Sequence, residues 1–77
     1  MSNQLKIFGK LTEIIKDDTI IINEIKDTKT LKETLFEKYP VLSEMKFFIS
    51  VNNKLITENT IIENGSVVAL LPPYSGG

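Results

Sequence analysis

The residues of this chain that could take part in chemistry lie at its carboxyl end, "PPYSGG". Gly76 and Gly77 carry no side chains, so they can pass a narrow channel and let a partner's backbone approach closely. The reactive group at the tip is the α-carboxylate of Gly77. Such a carboxylate is ionised at neutral pH and is a poor electrophile, so it needs activation, for example by adenylation, before a sulfur or amine nucleophile attacks. We interpret Gly77 as a group on which partner enzymes act.

The residues before the glycines favour an extended tail. Pro72 and Pro73 restrict two backbone angles and direct the chain away from a sheet. From Pro73 to Gly77 an extended chain spans roughly 15–18 Å. We therefore predict a folded domain over residues 1–73 and a flexible tail over 74–77. Pro72 and Pro73 would form the base of this tail, and Tyr74, Ser75 and Gly76 would thread into a partner.

Composition excludes several classes of site. The chain has no His, Cys or Trp, and all nine of its basic residues are Lys. Without His or Cys, the common nucleophile–base pairs and the usual zinc sites cannot form, so we expect no metal site and no enzyme acting alone. The net charge is −1, and Lys and Glu are scattered, so no basic stripe indicates nucleic-acid binding.

The length predicts one domain, and the termini give no sign of a membrane protein. The 77 residues are 42% hydrophobic and 25% charged, which is typical of a globular domain held together by packing. The apolar run "TIIINEI" is too short to span a membrane, and "MSNQLKIFG" is not a signal peptide. We expect a cytoplasmic protein without a membrane partner.

Five strands and one main helix are predicted. "QLKIF" (4–8) and "TIIINEI" (19–25) favour two paired strands, with Leu5, Ile7 and Phe8 available for the core and a short helical turn in "KLTEII" between the strands. "FFISVN" (47–52), "KLI" (54–56) and "SVVALL" (66–71) predict three more strands. Asn52-Asn53 predicts a tight turn, and Ile61 and Ile62 are expected to point inward.

"DTKTLKETLFEKYP" predicts the main helix, because Leu31, Leu35 and Tyr39 recur every four residues. Asp27, Thr28 or Thr30 could cap it, and Thr30 with Glu33 fits a capping box. Pro40 is expected to end the helix.

This order of elements predicts an α+β fold with a mixed sheet packed on one main helix. If the apolar last strand is central and lies parallel to the first, the arrangement is the ubiquitin-like β-grasp.

Four segments resemble the MoaD-type sulfur carriers, the small subunits of molybdopterin synthases in the ubiquitin-like MoaD/ThiS family. They are "KIFGKLTEI", "TLKETLFEKYP", "ISVNNKLI" and "VALLPPYSGG", and together they extend over nearly the whole chain. The resemblance implies that Gly77 is adenylated by an ATP-dependent activating enzyme and converted to a thiocarboxylate by a sulfur donor. The carrier itself would bind no cofactor. Sulfur would then pass to cyclic pyranopterin monophosphate for molybdenum cofactor biosynthesis.

The resemblance also implies a large catalytic subunit as partner, in a heterotetramer of two small and two large subunits. Leu70 and Leu71 stand where many members have an aromatic residue, and Tyr74 where a smaller aliphatic residue is common. We expect Phe8, Leu55, Leu70 and Leu71 to contact the partner.

Three alternatives remain open. A thiamine-type sulfur carrier shares the fold and the glycines, but generally lacks the Pro-Pro. A ubiquitin-like modifier would be joined to lysines through Gly77. A plain β-grasp interaction domain would carry the glycines incidentally, and it would keep its partner without Gly76 and Gly77.

Overall fold

Five strands form one mixed sheet in the computed structural model of the chain, which describes residues 2–73. The strands are β1 (Ser2–Ile7), β2 (Thr19–Asn23), β3 (Phe48–Val51), β4 (Lys54–Leu55) and β5 (Val68–Leu71). They lie in the order β2-β1-β5-β3-β4. β5 is parallel to β1, and the other neighbours are antiparallel. The last strand is therefore central and beside the first, which confirms the predicted ubiquitin-like β-grasp.

Two α-helices and a 3₁₀-helix connect the strands. They are α1 (Leu11–Ile15), α2 (Thr28–Lys38) and the 3₁₀-helix Pro40–Glu44. The predicted stripe of α2 is confirmed, because Leu31 and Leu35 are buried and Tyr39 is half-buried. The helix ends before Pro40, as expected from the missing amide hydrogen of proline.

The amino-terminal cap of α2 is Asp27, one of the three candidates. Its carboxylate accepts a hydrogen bond from the Thr30 N–H at 2.9 Å. The capping box of Thr30 and Glu33 does not form, because the helix begins at Thr28 and places Thr30 inside the first turn. Hydrogen bonds from Thr30, and then from Asn59, lower the pKa of the Asp27 carboxyl.

The helix start is also tied to the loop before β5. The Thr28 N–H donates to the Thr60 carbonyl at 2.9 Å, and the Thr60 N–H donates to Thr28 Oγ1 at 3.0 Å. Asn59 Oδ1 accepts from the Lys29 N–H at 2.9 Å. These bonds satisfy amide donors that a helix start otherwise leaves free.

The core lies between the sheet and the two α-helices. Ile62 belongs to it, as predicted, but the expectation for Ile61 is wrong, because Ile61 is 64% exposed. Phe8 is also outside the core, being 46% exposed. The buried apolar side chains that form the core are Leu5, Ile7, Leu11, Ile15, Ile22, Leu31, Leu35, Leu42, Ile49, Val51, Ile62, Val68 and Leu70.

Backbone conformation explains where the strands stop. Asn52 and Asn53 have φ of 52° and 68°, which confirms the tight turn between β3 and β4. Glu24 has φ of 57°, so β2 ends at Asn23 rather than at the predicted Ile25. Over residues 2–73, no helix is long and apolar enough to cross a membrane.

Candidate functional site at the tail base and the open sheet face

The tail leaves the domain at the carboxyl ends of β1 and β5. These strands are parallel, so both end at the same side of the sheet. The Phe8 N–H donates to the Leu70 carbonyl at 3.1 Å and ties the two ends together. Pro72 and Pro73 follow β5 directly, with Pro72 half-buried and Pro73 exposed, and their role as the tail base stays a prediction.

Gly9 makes room for Pro72. Its φ is +62°, a backbone conformation that residues other than glycine rarely adopt. A Cβ atom at Gly9 would lie 2.7 Å from the Pro72 Cγ atom, which is closer than van der Waals contact allows. The absence of a side chain therefore lets the first proline of the tail base lie against the loop after β1. The sequence indicated Gly9 only as the residue that ends the first strand.

A shallow groove of about 540 Å³ runs beside this tail base. Its lining is largely apolar, with two lysines, and consists of Gly9, Lys10, Leu11, Met45, Lys46, Pro72 and Pro73. The groove joins the loop after β1 to the segment before β3, and so lies next to the point where residues 74–77 begin.

The four tail residues lie outside the described part of the chain. Tyr74, Ser75, Gly76 and Gly77 therefore keep the roles that the sequence predicts for them, as predictions.

The face of the sheet opposite the helices carries an apolar strip. Leu71 on β5 is the register partner of Phe48 on β3. On the other side of β5, Ile7 is the partner of Leu70, so the next residues of the two chain segments, Phe8 and Leu71, are also neighbours. Leu55 lies on the same face, opposite Ser50. Phe8, Phe48 and Leu55 are 46%, 43% and 59% exposed, and Leu71 is half-buried. We call these four side chains the open-face strip.

Three members of the open-face strip were expected at the docking surface from the sequence, namely Phe8, Leu55 and Leu71. The structure brings them to one face, and their contact with a partner stays a prediction. Phe48 was missed as a site residue. The alternation of side chains along a strand could have indicated Phe48. Ile49 and Val51 are buried on one side of the pleat, so the neighbouring Phe48 side chain points to the other face of the sheet from Ile49.

The expectation that Leu70 contacts a partner is wrong. Its side chain is 0% exposed and belongs to the core, where its register partner on β1 is Ile7. Successive residues of a strand point to opposite faces, so Leu70 and Val68 face the helices while Ala69 and Leu71 face away.

Comparison with known proteins gives a family match over most of the chain. A sequence model of the ThiS family matches residues 5–77. This range includes the second half of β1, the whole core and the terminal glycines.

Solved structures with the same architecture come from an archaeon and a bacterium. SAMP1 from Haloferax volcanii superposes with a TM-score of 0.78 at 22% identity, over 100% of both chains. A second structure, of H. volcanii small archaeal modifier protein 1, gives 0.71 at 21% identity, over 95% of this chain and 98% of that one. At these identities the likeness shows the fold.

A third structure is more similar in sequence. It is a chain in the complex of subunits 1 and 2 of the molybdopterin-converting factor from Helicobacter pylori 26695. The TM-score is 0.75 and the identity 33%, over 100% of both chains. Together with the family match, this shows that the chain belongs to the ThiS family, among the ubiquitin-like sulfur carriers of the ThiS/MoaD type.

Proposed function

We propose that the chain is the sulfur-carrier subunit of a molybdopterin synthase. The observation that carries the proposal is the 33% identity, over the full length of both chains, to a chain from the two-subunit molybdopterin-converting factor of H. pylori. The Pro72-Pro73 base and the Gly-Gly ending give further support, because they match the terminal pattern of MoaD-type carriers.

The chemistry of the proposal is centred on Gly77. The carboxylate attacks the α-phosphate of ATP on an activating enzyme, pyrophosphate leaves, and an acyl-adenylate forms. A sulfur donor then supplies hydrosulfide, which attacks the carbonyl carbon, AMP leaves, and Gly77 becomes a thiocarboxylate. The large catalytic subunit transfers this sulfur to cyclic pyranopterin monophosphate. The carrier contributes the acyl group and its delivery, and its partners contribute catalysis.

Delivery requires that the body docks while the tail enters the partner. The open-face strip suits this task, because Phe8 and Leu71 adjoin the point where the tail leaves the sheet. Exposed aromatic and aliphatic side chains in one strip are typical of protein interfaces. In the proposed heterotetramer, each of two small subunits would place this face against one large subunit.

The decisive experiment is the intact mass of the chain isolated from its native host. We expect a species heavier than the unmodified chain by one oxygen-to-sulfur exchange. A variant lacking Gly77, expressed in the same host, is the matched control and should not show this species. Adding the large subunit and cyclic pyranopterin monophosphate should return the heavier species to the unmodified mass.

Three other results would contradict the proposal. Gly77 found only in amide linkage to lysines of other proteins would identify a ubiquitin-like modifier. An unmodified mass in the presence of the activating enzyme and the sulfur donor would indicate a plain interaction domain. A thiocarboxylate that the large subunit does not consume would favour a thiamine-type carrier.

A further inference from the structure

The two edges of the sheet differ in how well they are protected. β4, at one edge, has only two residues, Lys54 and Leu55. β2, at the other edge, has five residues, Thr19–Asn23, with neither charge nor proline. Natural sheets protect their edges with short strands, lysines or prolines, because an unprotected edge pairs with other chains. Only the β4 edge shows these devices.

The outer side of β2 has backbone groups available for pairing. In the described part of the chain, β2 pairs with β1 alone. Outside that ladder, its backbone takes part in one further hydrogen bond among residues 2–73, a long one of 3.4 Å from the Thr19 N–H to the Asp17 carboxylate. Alternate residues of an antiparallel edge strand point their N–H and C=O groups outward. The edge can therefore accept another strand.

A groove between β2 and α2 gives this edge a side-chain binding surface. It has a volume of about 400 Å³ and a partly polar lining, in which Ile20, Thr34 and Lys38 among others are accessible, while Ile22, Leu31 and Leu35 are buried. A strand added to β2 would direct every second side chain into this groove. The remaining side chains would lie on the opposite face beside Ile21, which is 57% exposed.

The charges beside β2 indicate which segment fits. Asp18 precedes the strand and Glu24 follows it, and both are exposed. Opposite charges directly across a strand pair are stabilising, so an incoming segment is favoured when basic residues flank its apolar centre. Lys38 also lines the groove, but it belongs to α2 and not to the strand ladder.

A second copy of this chain fits the edge less well. Two antiparallel β2 strands centred on Ile21 would place Asp18, just before the strand, beside Glu24, just after it. This is a like-charge pair, which destabilises a strand pair.

We propose that the β2 edge binds an extended apolar segment of a partner protein, flanked by basic residues, as a sixth strand of the sheet. The site lies on β2 and α2 and uses neither Gly77 nor the open-face strip. It therefore goes beyond the sulfur-carrier function, and the partner can bind while the tail is engaged elsewhere.

The test is a titration of the isotope-labelled full chain with the capped peptide KTVIVTK, followed by backbone amide NMR. We expect saturable shift changes along residues 18–25 and along α2, with slowed hydrogen exchange of the outward amides of β2. Substituting Ile21→Lys places a charge on the edge and removes an apolar contact, so affinity should fall at least about tenfold. The peptide ETVIVTE should bind the unchanged chain more weakly than KTVIVTK.

The matched control is Leu55→Lys at the opposite edge, where the exposed fraction is 59% against 57% for Ile21. This variant should keep the affinity for KTVIVTK. Shift changes confined to the open-face strip or to β4 would overturn the proposal, as would equal binding by Ile21→Lys. Equal binding of the two peptides would also overturn it. Self-association through β2 without peptide would overturn it too, because a second copy would then be the occupant of the edge.

Discussion

The two faces of the sheet carry similar apolar side chains in different surroundings. On the helix side, Leu5 and Leu70 are 0% exposed and belong to one core cluster with buried side chains of α1 and α2. On the other side, Phe8, Phe48 and Leu55 keep about half of their surface in water. The same strands supply both faces, because successive side chains alternate.

The difference separates folding from association. An apolar side chain that loses its water on folding stabilises the fold, and one that stays in water can lose it only on binding. Substitutions on the helix side should therefore change the free energy of unfolding. Substitutions of the open-face strip should change binding to a partner. The following predictions test this separation, in order of the expected effect on stability.

The largest effect is expected for Leu31→Ala on α2. Leu31 is 0% exposed, so truncation leaves a cavity and should lower the free energy of unfolding by about 2–5 kcal/mol. Urea denaturation followed by circular dichroism measures the loss. The control Ile21→Ala, on the exposed side of β2, should lose less than about 1 kcal/mol. Equal losses would contradict the separation of the two faces.

A smaller effect is expected for Gly9→Ala at the tail base. The positive φ of Gly9 disfavours any side chain by about 1–2 kcal/mol, and the new Cβ would also collide with Pro72. The control Gly65→Ala shares the positive φ, 88°, but has no atom within 4 Å of its Cβ position. Denaturation of both variants isolates the Pro72 contact. If Gly9→Ala loses no more stability than Gly65→Ala, that contact contributes nothing.

Asp27→Asn should change the pH dependence of stability. The folded chain lowers the pKa of Asp27, so below neutral pH the unfolded chain binds more protons at this residue. The stabilisation is complete above the ordinary aspartate pKa of about 3.9, and it is lost as pH falls through the lowered value. The thermal midpoint of Asp27→Asn should lie below that of the unchanged chain at pH 7, with the gap closing in acid. Glu33→Gln, which removes an exposed charge from the same helix, is the matched control.

The smallest effect on stability is expected for Phe48→Thr in the open-face strip, within about 0.5 kcal/mol of the unchanged chain. Affinity for the large subunit of the proposed synthase, measured by calorimetry, should fall at least about tenfold, because the proposed interface would lose an aromatic contact. Val41→Thr is the matched control, since Val41 is 48% exposed on the 3₁₀-helix. Its affinity should be unchanged. Loss of stability without loss of affinity in Phe48→Thr would reverse the roles assigned to the two faces.

Much of the fold could be predicted from local patterns. The spacing of Leu31 and Leu35 predicted α2, and Asn52-Asn53 predicted the turn, because both signals depend on neighbouring residues. The inward position of Ile61 was predicted wrongly. Ile61 and Ile62 are both apolar, and only the bridge between Ile61 and Asp27 sets which of them points inward.

The sequence by itself determined the five strands, the main helix, their order and the terminal motif, since propensity and turn chemistry act within a few residues. Only the tertiary structure decided which apolar residues are buried and which stay exposed. The run Val67 to Leu71 is apolar throughout, so its sequence does not show which side chains point to which face of the sheet. Pairing of β5 with β1 and β3 buries Leu70 and places Leu71 on the opposite face. The contact of Gly9 with Pro72 and the meeting of Phe48 with Leu71 likewise join residues that are distant in the chain. Such contacts form only when the strands pair, which is why no local pattern reports them.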